Sequence, residues 1–224
     1  MKYSVKYQVI DTGNSRSFPQ PHALTGQASE AGELVLLIGQ AVGQALNGLA
    51  NCSAKTAILL ELGTECLGFH SGEDSGREGS NLLGFARFRM GQSEPTQLVE
   101  LVKQPHSSPA AIAAAIEVLE AAGLVVAVCN DFPGRIVDRL LRPYLNAVLR
   151  RLDEGLASAA DMDTTLRLGL GYPQGPIALL EQTGLAEHFD VTQALYLALG
   201  DTAYAPARRA QVAKQRATNS MGQS

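Results

Sequence analysis

Proton transfer near neutral pH most often falls to histidine, and this chain of 224 residues has four: His22, His70, His106 and His188. All four lie in loop-like or turn-rich surroundings and read as solvated surface residues. His70 closes the segment Gly68-Phe69-His70 and opens the run HSGEDSGREGS, which reads as a surface loop. Nucleophilic or metal chemistry has less to draw on. Cys52, Cys66 and Cys129 are odd in number and far apart, with no CxxC pair, so neither a disulfide framework nor a metal site is indicated and buried, reduced thiols are expected. Gly13, Gly26 and Gly32 do not form the GxGxxG spacing that lets a backbone approach a pyrophosphate, and they read as turn residues.

The elements that would position these groups fall into two kinds. Val5 to Ile10 has strand character, and the turn-rich run DTGNSRSFPQPHALTGQASEAG after it reads as a long loop. Glu33 to Ile38 reads as a buried strand, QAVGQALNGLANC as a helix and AKTAILLEL as a second strand, an order that implies a parallel pair with a right-handed crossover. NLLGFARF, QLVELV and VVAVCN are further strands. SSPAAIAAAIEVLEAAG is a helix capped by Ser107 or Ser108, started at Pro109 and closed at Gly123.

From Asp131 onward the strand signal ends. Ile136, Val137, Leu140, Leu141, Tyr144, Leu145, Val148, Leu149 and Leu152 form a broad apolar stripe on one long helix. Ser158 with Asp161 has the form of a capping box opening a second helix to about Leu168. Pro176 starts a third that Gly184 stops, and a fourth runs from about Glu187 to Leu199. The polar stretch after Pro206, with Arg208, Arg209, Lys214 and Arg216, is expected to fray or be disordered. The organisation is thus α/β plus all-α: residues 1–130, residues 131–206 and a tail at 207–224.

The composition, 46% hydrophobic and 18% charged, suits a globular chain with a real core, and a formal net charge of −4 gives no general attraction to nucleic acid or an anionic membrane. No apolar run is long enough to span a bilayer and the start, MKYSVKYQVIDTG, lacks a continuous apolar core, so no signal peptide is read and a cytoplasmic location is expected.

Asp131, Pro133 and Gly134, then Ile136-Val137, Arg139-Leu140 and Pro143-Tyr144-Leu145-Asn146, resemble the entry into the C-terminal domain of 3-hydroxyacyl-CoA dehydrogenases. Glu154-Gly155 with Asp161 and Asp163, GLGYPQGP from Gly169 to Pro176, and the final GLAEHFDV and YLALGDTAYAP extend the resemblance. In outline, ELVLLIG looks like the family's fourth Rossmann strand and AKTAILLELGT like its fifth. The resemblance therefore implies a truncated Rossmann-like parallel-sheet domain, followed by a small helical domain that pairs with a second copy and faces an acyl-CoA.

The same resemblance implies NAD as cofactor and a general-base mechanism in which a His takes the substrate hydroxyl proton, a Glu orients that His, and a Ser and an Asn line the reacting oxygen. The positions that match are Ala86 for the His, in Gly84-Phe85-Ala86-Arg87-Phe88, Glu100 for the Glu, Thr64 for the Ser and Asp138 for the Asn. Alanine cannot accept a proton. Without the glycine fingerprint, and with only about thirty residues ahead of ELVLLIG, NAD binding in the family manner is not expected. Glu100 and Asp138 could equally be paired with Arg87, Arg89 or Arg139. The expected protein is a degenerate dehydrogenase relative with weak or no NAD-dependent activity, a homodimer that binds acyl-CoA or a partner. Two alternatives stay open: an active oxidoreductase using His70 or a second chain, and a structural homodimer without ligand.

Overall fold

Six short aliphatic runs form one sheet: β1 (Tyr7–Asp11), β2 (Leu34–Ile38), β3 (Ala57–Glu61), β4 (Leu82–Arg87), β5 (Leu98–Lys103) and β6 (Val125–Asn130). In the computed structural model, which describes residues 5–72 and 79–221, they lie side by side in chain order. Every neighbouring pair is parallel except β4 and β5. Most of the run HSGEDSGREGS, at residues 73–78, falls outside the described residues.

All positions of β2 and β3 are buried, as parallel strands covered on both faces must be. Period-two alternation sends Leu34, Leu36 and Ile38 to one face, where they pack with Phe18, with Leu24 of α1 (Ala23–Gly26) and with Ala111, Ala115, Val118 and Leu119 of α4 (Pro109–Ala121). Val35 and Leu37 go to the other, against Val42 of α2 (Val42–Gly48) and near Leu67, just before α3 (Gly68–Ser71). The chain therefore leaves β1 towards one face and β2 towards the other. Because the strand order advances in one direction, these two crossovers have opposite hands, and one of them departs from the right-handed rule. Ser108 caps α4 through its hydroxyl, which accepts the Ala111 N–H at 3.1 Å.

The chain divides into two compact units, residues 1–89 with 95–135, and residues 90–94 with 136–224. The second contains α5 (Val137–Asp153), α6 (Ala159–Leu170), α7 (Pro176–Thr183), α8 (Leu185–Leu199) and α9 (Arg208–Met221). The last of these corrects an expectation. As far as Met221 the polar tail is helical: Ala207 and Ala210 are buried, Arg208 and Arg209 both reach Asp153, and Lys214 bonds Asp190 at 2.7 Å. Counting charges concealed the helix, since its small apolar residues rather than large ones seat it. The α6 start also differs in detail. The Ser158 hydroxyl accepts the Asp161 N–H as expected, but Asp161 answers by accepting the hydroxyl proton at 2.6 Å rather than reaching the Ser158 backbone.

The glycine of the Gly-Pro turn has a direct structural reason. Asp163 on α6 caps the start of α7, its two oxygens accepting the N–H groups of Ile177 and Ala178 at 2.9 Å each. A Cβ on Gly175 would lie 2.1 Å from the Asp163 carboxyl carbon. Gly175→Ala will therefore cost about 1–3 kcal/mol by overpacking alone, with the lost cap in addition. Equilibrium urea unfolding measures it, and a midpoint unchanged from wild type would remove this explanation for the turn.

Candidate functional site

In the sheet unit, Glu100 and the loop that carries Thr64 meet around one arginine, and Ala86 stands across from Glu100. Ala86 on β4 is the register partner of Glu100 on β5, so their Cβ atoms stand about 5 Å apart across the antiparallel pair. That placement suits a base and its orienting carboxylate. Ala86 supplies no base, and Glu100, 3% exposed, faces the Arg135 guanidinium instead, with Nε 3.4 Å from Oε2. Arg135 is itself 5% exposed and sits in the left-handed region at φ 53°. Its guanidinium also donates to the carbonyls of Gly63 at 2.5 Å and Glu65 at 3.5 Å, the two that flank Thr64. The Thr64 carbonyl accepts the Gly134 N–H at 2.9 Å. Arg87, Arg89 and Arg139 were one set of partners open to the carboxylates. The sheet instead pairs Glu100 with Arg135, whose place in the Pro-Gly turn gave no sign of it.

The nearby Asp131 carboxylate accepts the N–H groups of Leu67 at 2.6 Å and Gly68 at 2.8 Å, fixing the start of α3. Burial pushes the Cys129 thiol up, and the Glu100 carboxylate adds to this, to about 11, so the thiol stays protonated and inert.

His70 is not a surface-loop residue. It lies in α3 with its side chain 13% exposed, Nε2 3.3 Å from Glu65 Oε1. Burial pushes the Glu65 carboxyl up, but the His70 and Gly63 hydrogen bonds outweigh it and hold the carboxyl at about 2. His70 lines a cavity of about 680 Å³ that also touches Leu46, Lys55, Ser71 and Asn81. His22 caps α1 with its ring Nδ1, 3.1 Å from the Leu24 N–H, while His106 is exposed as expected.

Asp138 falls in the helical unit, as half of a different buried pair. Arg142 Nε donates to Asp138 Oδ1 at 2.8 Å, one helical turn along α5. The guanidinium continues to His188 Nδ1 at 3.1 Å, and His188 Nε2 lies 3.0 Å from Asn146 Oδ1. Asn146 then donates to the carbonyls of Ala203 and Ala205. Since a guanidinium can only donate, His188 accepts at Nδ1 and carries its proton at Nε2. Expected to be solvated, His188 is 1% exposed; burial and the Arg142 charge depress its pKa to about 3. The sequence signal was present in Asp138, Arg142 and Asn146, spaced by four on one helix face.

Residues 134–223 match the family model of the 3-hydroxyacyl-CoA dehydrogenase C-terminal domain. That match spans 90 of the 224 residues, so the likeness to 3-hydroxyacyl-CoA dehydrogenases is one of the C-terminal domain. Human mitochondrial hydroxyacyl-coenzyme A dehydrogenase is 43% identical over 89 residues, 40% of this chain and 28% of that protein. The 3-hydroxybutyryl-CoA dehydrogenase of Bradyrhizobium diazoefficiens is 34% identical over 110 residues, 49% of this chain and 38% of its own length. The chain thus aligns with less than half the length of these curated relatives. Among solved structures, the Escherichia coli K12 3-hydroxybutyryl-CoA dehydrogenase superposes with TM-score 0.67 at 25% identity, covering 81% of this chain and 39% of that one. The Ralstonia eutropha (S)-3-hydroxybutyryl-CoA dehydrogenase shares the fold, with TM-score 0.66 at 23% identity over 83% of this chain and 67% of that one. Among the described residues, no helix is long and apolar enough to cross a membrane and no group of His, Cys, Asp and Glu could hold a metal.

Proposed function

We propose that this chain is a dehydrogenase relative with weak or no NAD-dependent activity, which keeps the family scaffold to bind an acyl-CoA or a partner. The observation that carries this reading is the Ala86–Glu100–Arg135 arrangement. The position facing Glu100 bears a methyl group, and an arginine holds the carboxylate that would have oriented a base. Thr64 and Asp138 remain the positions where the family chemistry would sit, Thr64 in the loop pinned by Gly134 and Arg135, Asp138 bound to Arg142. An exposed apolar surface on the helical unit supports a partner. Leu140 is 73% exposed and Leu168 80%, and an apolar cleft of about 360 Å³ lies between α5 and α6, touching Tyr144, Leu156, Met162 and Leu166. A second copy of this chain is the proposed occupant.

Calorimetric titration with acetoacetyl-CoA tests the ligand and sedimentation at micromolar concentration tests the pairing. The reading expects saturable heat and a dimer; a flat titration together with a monomeric boundary would contradict it. A second reading, an active oxidoreductase with His70 as displaced base and the cofactor half supplied by another chain, is favoured by one feature. His70 is held by a carboxylate beside a cavity.

A further inference from the structure

Ligands of parallel α/β sheets enter where the chain leaves adjacent strands towards opposite faces, because the departing loops open a crevice beyond the strands' carboxyl ends. Here that point lies between β1 and β2, whose following segments pack on opposite faces of the sheet. The crevice is already filled by the chain itself. Glu61, the last residue of β3 and 5% exposed, places Oε1 2.5 Å from the Ser17 N–H and Oε2 2.6 Å from the Gly39 N–H. Both oxygens of one carboxylate are thus held by backbone donors from the loop after β1 and the loop after β2.

The loops are also locked to one another. The Thr12 N–H donates to the Ile38 carbonyl at 2.8 Å, the Gln40 N–H to the Gly13 carbonyl at 3.0 Å, and the Ala41 N–H to the Thr12 hydroxyl at 3.0 Å. Gly39 has φ 99°, and a Cβ there would come 2.4 Å from the Gly13 carbonyl oxygen. At Gly39 there is no room for even a methyl group. Ser17 is buried, its hydroxyl accepting the Arg87 N–H and its carbonyl an Arg87 guanidinium proton, so its loop is fastened down over the strand ends. A dinucleotide pyrophosphate does not fit these residues. Its negative charge would meet a fixed carboxylate, and the donors it needs are taken.

We infer that Glu61 is a resident anion in the phosphate cradle of this sheet, a specificity-determining residue that satisfies the Ser17 and Gly39 N–H groups and keeps dinucleotides out. Backbone donors turned inward need an acceptor, and the carboxylate supplies one with a full charge. Removing it leaves an anion-shaped vacancy lined by two N–H groups.

The test uses the full chain with Glu61→Ala and Glu61→Gln. In dilute chloride-free buffer, Glu61→Ala is expected to melt below wild type, and sodium formate, which replaces the missing carboxylate, to raise its midpoint saturably by at least about 5 °C. Wild type and Glu61→Gln, whose side chain still occupies the space, are expected to gain no more than from sodium chloride at equal ionic strength. If Glu61→Ala is unfolded in dilute buffer, the same titration is read as recovery of the folded fraction. NADH titrated into wild type is expected to leave its fluorescence unchanged. Absence of a formate-specific gain in Glu61→Ala, or saturable NADH binding by wild type, would each overturn the inference. The formate arm reads the cradle alone, so its failure is distinct from failure of the acyl-CoA titration.

Discussion

Arg135→Met is expected to cost about 3–5 kcal/mol of stability, read as a fall in the urea midpoint without a change in slope. The substitution preserves most of the side-chain volume but removes the cation facing Glu100, which is 3% exposed. It also releases the carbonyls of Gly63 and Glu65 that the guanidinium holds on either side of Thr64. Because the cost comes from stranding a buried charge rather than from losing a favourable pair, Arg135→Met with Glu100→Leu should regain much of it. A double variant no better than Arg135→Met would refute that account of the pair. The same physics limits any attempt to restore a base. Ala86→His would introduce a ring beside a carboxylate that already has a cationic partner, so no turnover is expected from that change alone.

The second large effect is a pH dependence. His188 is neutral in the folded protein and its pKa lies near 3, against 6.5 for the ordinary side chain. Between these values the unfolded chain binds the proton and the folded chain does not, so stability falls as pH falls from about 6.5 towards 3. The full loss is on the order of 4–5 kcal/mol. Burial and Arg87 lower His22 as well, which acts in the same direction, and Glu65, held at about 2 against 4.5, adds its own loss only at lower pH. The comparison of wild type with His188→Gln isolates the buried ring: between pH 6.5 and 5 the variant's urea midpoint should fall less steeply. Parallel slopes would mean that His188 is not the group responsible.

Much of the architecture was legible because it rests on local rules. The aliphatic runs of β2 and β3, the Ser108 and Pro109 start of α4, and the Pro176 and Gly184 limits of α7 are each set by residues within a few positions of the element. The polar interior was not legible in the same way. Glu61, Glu100 and Arg135 are isolated charges in sequence, and only the sheet register and the turn at Gly134 bring their partners to them. His188 looked like one more polar residue in a turn, yet it completes a row that begins with Asp138 and Arg142 on another helix. The resemblance pointed to Ala86 and Glu100, and the register places them opposite one another. What sequence could not convey was that a residue from the Pro-Gly turn holds the carboxylate. Helix α9 was missed for a simpler reason: alanines are enough to seat it when aspartates on α5 and α8 receive its arginines and lysine.

The most direct test of the central claim is NADH-dependent reduction of acetoacetyl-CoA by the purified full chain, followed at 340 nm across pH 5 to 8. With alanine facing Glu100 and Glu61 filling the phosphate cradle, the predicted result is no oxidation of NADH above the protein-free rate at any pH. Turnover that is saturable in both NADH and acetoacetyl-CoA and abolished by His70→Ala would contradict it and establish His70, oriented by Glu65, as the base.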